Sequence, residues 1–123
     1  NFNGFEDGIR RFSGILHDAG IHYAFMGGTG AFLRAPYMEP DILSVYVDRI
    51  PEKLDGVYPV DKDGNIVMYI PANEGYFIES QEYDGIPVVS DVQLYLDLRK
   101  MPGRSEDQAE YLRDEKMNRS KNA

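Results

Sequence analysis

Residues 21–26 (Ile-His-Tyr-Ala-Phe-Met) form an apolar and aromatic run broken only by His22, and two glycines follow at once. A run of this length and type is expected of a strand buried on both faces. Gly27 and Gly28 let the backbone turn sharply and approach another group closely. Thr29 is then placed to cap a short helix, and Pro36 stops that helix because the residue before a proline is pushed out of the helical region. Residues 42–47 return to β-branched and aromatic types, so the chain should come back as a strand. A glycine turn that feeds a helix N-terminus has the form of an anion cradle. Gly27, Gly28, Thr29 and Asp41, at the start of the returning strand, are therefore the candidate ligand-binding residues.

This strand, glycine turn, helix and strand resembles the core of the nucleotidyltransferase superfamily. The resemblance implies an α+β fold, a mixed sheet flanked by helices in a single domain. It also implies two carboxylates one residue apart on the second strand, holding magnesium, since alternate strand residues share a face and can chelate together. Gly27-Gly28-Thr29 matches the turn. Asp41, however, shares its strand face with Leu43, Val45 and Val47, and the other face offers Ile42, Ser44 and Tyr46. Glu39-Pro40-Asp41 is a second acid-x-acid pair, made awkward by a proline that belongs at a sheet edge or strand start. The family's third carboxylate would come from a later strand, and residues 65–70 (NIVMYI) contain no acid. The expectation is a degenerate site that retains the fold and has lost catalysis, with no catalytic residue, no metal and no cofactor. Magnesium enters only in the alternative where Glu39 and Asp41 hold it.

The 123 residues suffice for one domain with a real core. There is no cysteine, which removes disulfides and thiolate metal sites and fits a reducing, cytoplasmic compartment. No apolar run approaches the roughly 20 residues of a membrane-spanning helix. With 21 acids against 13 basic residues the net charge is −8, a poor endowment for binding nucleic-acid phosphates. The chain starts at Asn1, which suggests a fragment of a longer product.

Phe5, Ile9, Phe12, Leu16 and Ala19 recur at helical spacing, predicting a helix over residues 5–19 with Asn3 and Glu6 as a capping box and Gly20 as the stop. Arg10 and Arg11 lie off that stripe on a solvated face, and His17 and His22 are structural. Residues 48–56 read as a polar connection with one helical turn after Pro51. Residues 57–60 and 65–70 flank a turn-like Asp61-Lys62-Asp63-Gly64, predicting a hairpin. Residues 76–80 and 86–89 are further strands joined through Tyr83-Asp84-Gly85, and Pro87 places the last at an edge or starting late. The nine tyrosines suggest half-buried sheet positions with hydroxyls reaching water, or alternatively a stacking platform. Ser90 and Gln93 open a helix over 91–101, with Val92, Tyr95, Leu96 and Arg99 on one face and Leu94, Leu98 and Met101 widening it. A last helix, opened by Ser105 and Gln108, runs to about Met117 with a thinly apolar side of Ala109, Leu112 and Lys116, suited to weak packing or to a partner. Residues 1–118 thus make the domain and 119–123 a frayed tail.

The segment Gly85-Ile86-Pro87-Val88-Val89-Ser90, then Val92-Gln93-Leu94-Tyr95-Leu96-Asp97-Leu98, then Met101-Pro102-Gly103-Arg104 resembles the end of AbiEi-family proteins. These are prokaryotic antitoxins of type IV toxin–antitoxin systems and related transcriptional regulators. Together with the Gly27-Gly28 turn and Asn65-Ile66-Val67, the likeness spans residues 20–117. It implies a nucleotidyltransferase-like domain behind a winged-helix DNA-binding domain, so DNA would be bound only through that other domain. The function expected is a non-catalytic regulatory or interaction domain of an AbiEi-like regulator or antitoxin, working through a protein partner or self-association and not at a membrane. The alternatives are an active magnesium-dependent nucleotidyltransferase, or a sensor domain that binds a nucleotide or other small molecule in the inherited cleft.

Overall fold

A computed structural model describes residues 3–60, 62, 64–100 and 105–117. It shows one α+β domain built on a five-stranded mixed sheet. The chain opens with α1 (Asn3–Asp18), whose Ile9, Phe12 and Leu16 are buried; Gly20, at a φ of +72°, ends it in the left-handed region glycine favours. Ala19, expected on the buried stripe, is exposed instead. Then come β1 (Tyr23–Phe25), α2 (Gly27–Arg34) and β2 (Leu43–Val47), the order expected from the glycine turn. A crossover leads to β3 (Ile66–Tyr69), a short helix α3 (Gly75–Ile78), the hairpin β4 (Gln81–Tyr83) and β5 (Ile86–Val88), α4 (Asp91–Lys100) and α5 (Ser105–Leu112). Residues Arg113–Met117 continue as a π-helical turn.

The strand order is β3-β2-β1-β5-β4. β1 runs antiparallel to β2 and parallel to β5, while β2 and β3 are parallel. The register puts Tyr23, Phe25, Val45, Val47, Met68 and Val88 on one face and Ala24, Ser44, Tyr46, Val67 and Tyr69 on the other. The Tyr23 hydroxyl meets Ser13 of α1 and the Tyr46 hydroxyl meets Asp97 of α4, so the two helices lie against opposite faces. Neither hydroxyl is left to water, contrary to the expectation for the tyrosines. Arg34 at the end of α2 donates from Nε and Nη2 to both oxygens of Asp91, 2.9 and 3.1 Å away, which ties α2 to the start of α4.

Several expectations fail for identifiable reasons. The 57–70 hairpin does not form: β3 pairs with β2 in parallel, and parallel strands require a crossover. Residues 57–60 are not a strand, and the helical turn after Pro51 is replaced by a tight turn from Leu54 to Val57 around Gly56 at a φ of +75°. Residues 76–80 are not a strand either. Asn73 Oδ1 accepts the Gly75 N–H at 2.8 Å and starts the helical turn α3, which buries none of its residues. The strand that pairs with β5 is β4, joined through Asp84 and Gly85, both at positive φ as a two-residue hairpin turn demands. β5 is an inner strand despite Pro87. Val89 donates to Phe25, so Pro87, two residues earlier, turns its nitrogen the same way, before the ladder with β1 begins.

The Ser90 hydroxyl accepts the Gln93 N–H at 3.2 Å and caps α4 as expected, but the Gln93 side chain binds Asp97 rather than reaching back. α4 buries only part of the wide face expected: Leu94 and Leu98 are buried, joined by Asp97, and Tyr95 packs against the core, but Val92 and Leu96 are exposed. α5 packs firmly, with Gln108, Ala109 and Leu112 buried and Tyr111 stacked on Tyr37 at 4.9 Å, so the weak-packing expectation is overturned. The expected Met101-Pro102-Gly103-Arg104 turn, the Asn3 and Ser105 cap side chains and the 119–123 tail lie outside the described residues.

Candidate functional site

The glycine turn sits at the junction of β1, α2, β2, α4 and α5. Helix α2 begins at Gly27 rather than after Thr29, and Met26 occupies the capping position without a side-chain bond. Gly27 has a φ of +53°, so a side chain there would be strained. Gly28 has no such constraint; a Cβ on it would sit 3.4 Å from Pro40 Cβ. Pro40 thus brings the Glu39–Asp41 loop against the turn, yet Glu39 and Asp41 are themselves exposed and precede β2.

Thr29 is fully buried inside α2 and is not a cap. Its hydroxyl accepts the Ser44 N–H at 2.8 Å and donates to the Ile42 carbonyl at 3.0 Å. The reason lies in the backbone. Met26 N–H bonds the Ser44 carbonyl at 3.1 Å, extending the β1–β2 ladder by one residue. The Met26 carbonyl, however, is taken by Gly30 N–H at 3.0 Å in the first turn of α2. Ser44 N–H is left facing the end of β1, and Thr29 Oγ1 supplies the missing acceptor. Thr29 is a splice between helix and sheet, with both hydrogen-bonding directions of its hydroxyl in use.

The N-terminus of α2 is occupied by the chain itself. Asp97, only 6 % exposed, comes from α4. Its Oδ1 accepts the Tyr46 hydroxyl at 3.0 Å and Gln93 Nε2 at 2.8 Å. Burial raises the Asp97 carboxyl above its ordinary value of 3.8; the bonds from Gln93 and Tyr46, nearby Lys100 and the Gly27 N–H pull the other way. Oδ2 is buried without a hydrogen-bond partner. Burial, followed by the Asp97 charge, holds the Tyr46 hydroxyl well above the usual phenol range, so it stays a donor. The other approach to the turn is closed by Gln108 of α5, whose Nε2 is 3.5 Å from the Gly28 carbonyl. A helix N-terminus favours an anion, and here a buried carboxylate already fills that role.

On the sheet face beside Asp97, β2 offers Ser44 and Tyr46, and β3 offers Val67 and Tyr69. The rings of Tyr46 and Tyr69 meet at 6.3 Å and those of Tyr46 and Tyr76 at 5.0 Å, all edge to face. The structure therefore brings Gly27, Gly28 and Thr29 together, leaves Asp41 outside, and adds Asp97, Gln93, Tyr46, Tyr69 and Tyr76, which the sequence reading did not assign to a site. The one signal for Asp97 was its place three residues after Leu94 and next to Leu98, an acid on an apolar stripe. Among the described residues no three His, Cys, Asp or Glu side chains converge on a common point. A separate open hollow of about 1110 Å³ lies under the crossover, lined by Ile42, Ile50, Leu54, Val57, Ile66 and Met68 among others, and none of the candidate residues lines it.

No family model, curated protein or solved structure matches this chain. Among the described residues no helix is long and apolar enough to cross a membrane.

Proposed function

We propose that this chain is a non-catalytic regulatory or interaction domain with a degenerate nucleotidyltransferase-like fold, of the kind its resemblance to AbiEi-family regulators and antitoxins implies. The observation that carries the reading is Asp97 at the N-terminus of α2. A triphosphate lying over Gly27 and Gly28 would meet a buried carboxylate where it needs N–H groups, and like charges in a site of low polarity repel strongly. The residues beside it support the same reading. Ser44, Tyr46 and Tyr69 stand on the sheet face next to the turn, and none of them is a metal-ligating carboxylate. The order of β1, glycine turn, α2 and β2, with β2 beside β1, agrees with what the family resemblance implies about the core.

The working surface would be for protein. Tyr58 and Val60 are 80 % and 64 % exposed on the crossover, beside the hollow, and the net charge of −8 disfavours nucleic acid. The test is a titration with magnesium and each nucleoside triphosphate, followed by backbone NMR, alongside mass spectrometry for nucleotide transferred to the protein or to added RNA. The expected result is no saturable shift at Gly27, Gly28 or Thr29 and no transfer. Transfer that stops in Asp41→Asn would establish the catalytic alternative with Glu39 and Asp41 on magnesium.

A further inference from the structure

We propose that the corner around Asp97 is a binding site for an organic cation, a guanidinium or alkylammonium group held by the carboxylate against the rings of Tyr46, Tyr69 and Tyr76. The inference goes beyond the regulatory reading and stands on the geometry alone, whether or not the family resemblance holds.

Three observations converge. The first is the orphaned Oδ2: Asp97 is 6 % exposed, and this oxygen has no partner while Oδ1 has two. A buried polar atom of this kind is uncommon in a well-satisfied fold and asks for a donor. Lys100, one turn further along α4, is exposed and bears on the carboxylate only through its charge, and the Gly27 N–H at the start of α2 is the backbone donor beside it.

The second is the aromatic lining. Tyr46 stands at the centre, with Tyr69 and Tyr76 at interplanar angles of 66° and 76° to it. Both neighbours meet Tyr46 edge to face, and a ring face attracts a cation within about 6 Å of its centroid. The third is accessibility. Tyr69 is 43 % exposed, and Tyr76 is half-buried on the single helical turn α3.

The chemistry selects the class. An anion would face Asp97. A divalent metal needs several oxygen ligands, and here one carboxylate stands among neutral phenols and a carboxamide. A guanidinium is planar, weakly hydrated and rich in N–H donors, so it can satisfy Oδ2 and stack on a tyrosine at once.

Two probes separate the sources of such a group: agmatine for a small-molecule cation, and capped Gly-Arg-Gly peptide for an arginine side chain of a partner. Each is titrated into the whole chain at constant ionic strength, with the tyrosine ring and Asp97 carboxyl resonances observed by NMR. The expected result is saturable shifts at Tyr46, Tyr69 and Tyr76 from agmatine, from the peptide, or from both, which names the source. Asp97→Asn should weaken the effective probe by about tenfold or more, the loss of one charge-assisted contact. Tyr69→Leu, a change at an exposed ring that should leave the fold intact, should weaken it severalfold and covers the case in which Asp97→Asn does not fold. The proposal is overturned if neither probe shifts these rings at 10 mM, if sodium chloride at matched strength gives the same shifts, or if both variants bind as the parent does.

Discussion

Replacing Thr29 by valine is the most direct test of whether the glycine turn is a ligand site or a structural splice. The two side chains have nearly the same shape, so the change removes the hydroxyl and little else. In the folded state the Ser44 N–H then has no acceptor, because the Met26 carbonyl it would otherwise use is bound to Gly30. A buried unsatisfied donor costs about 1–3 kcal/mol. The Ile42 carbonyl also loses its donor, but Ile42 is 40 % exposed and water can replace the bond, adding no more than about 1 kcal/mol. Thr29→Val should therefore destabilise the domain by about 1–4 kcal/mol. Thr29→Ser keeps both bonds and loses one buried methyl, for a cost of about 1 kcal/mol. The assay is urea unfolding followed by far-ultraviolet circular dichroism, with the slopes compared to confirm that the unfolded states match. Amide exchange at Ser44 should accelerate in the valine variant and stay slow in the serine variant. Thr29→Val within about 0.5 kcal/mol of the parent, a change typical of an ordinary surface site, would refute the splice and return Thr29 to the list of ligand-facing residues.

Three further outcomes follow from the same geometry. The two glycines of the turn should respond unequally: Gly27→Ala places a side chain at positive φ and should cost about 1–2 kcal/mol, whereas Gly28→Ala meets Pro40 and Gln108 at ordinary contact and should cost less than half of that, read as urea midpoints. In Gly30→Ala the new Cβ would come within 2.6 Å of Leu94 Cδ2 and 3.0 Å of the Phe25 carbonyl, and strain of about 1–3 kcal/mol should exceed the helix-propensity gain of about 1 kcal/mol; Gly14→Ala, with open space around it, should show the gain alone as a higher melting temperature. Asp97 should leave a signature in pH dependence. Its folded pKa is raised by burial, so between the unfolded value near 3.8 and that raised value the folded state holds a proton the unfolded state has lost. Its contribution is therefore fully favourable below the unfolded value and declines as pH rises through that window. Asp97→Asn should remove that share of the decline, and identical pH slopes in the two proteins would contradict the assignment.

What the sequence made legible was local. The run at 21–26, the glycine pair and Pro36 carried enough information to place β1, α2 and β2, because each of those residues constrains its own backbone. Gly20 and Ser90 announced a helix end and a helix start for the same reason. The failures came where a distant partner decides. Residues 57–60 and 65–70 look like a hairpin from nearby turn residues, but β3 gains more by joining β2, and that pairing leaves no mark on either segment. Tyr76, Phe77 and Ile78 have strand-like side chains, yet the Asn73 side chain starts a helical turn beneath them. The site was harder still. Asp97 and Gly27 are brought together only by the packing of α4 on α2, and the buried side of α4 was drawn too wide because Val92 and Leu96 are as apolar as Leu94 and Leu98.

The position of β5, an inner strand beside the central β1, has a consequence for the order in which this domain can be made. β1 is flanked by β2 on one side and β5 on the other, and Phe25, which lies in all of these contacts, is fully buried. Until residues 86–88 have been synthesised, β1 carries an unpaired edge in the middle of the future sheet, and that edge is apolar. A nascent chain halted after α3, or a proteolytic piece ending there, would hold most of the core and still offer a strand-sized vacancy to any neighbour. β4 and β5 are joined locally through Asp84 and Gly85, so the hairpin closes that edge as one unit. The sheet is thus complete only once residues 81–88 have joined it.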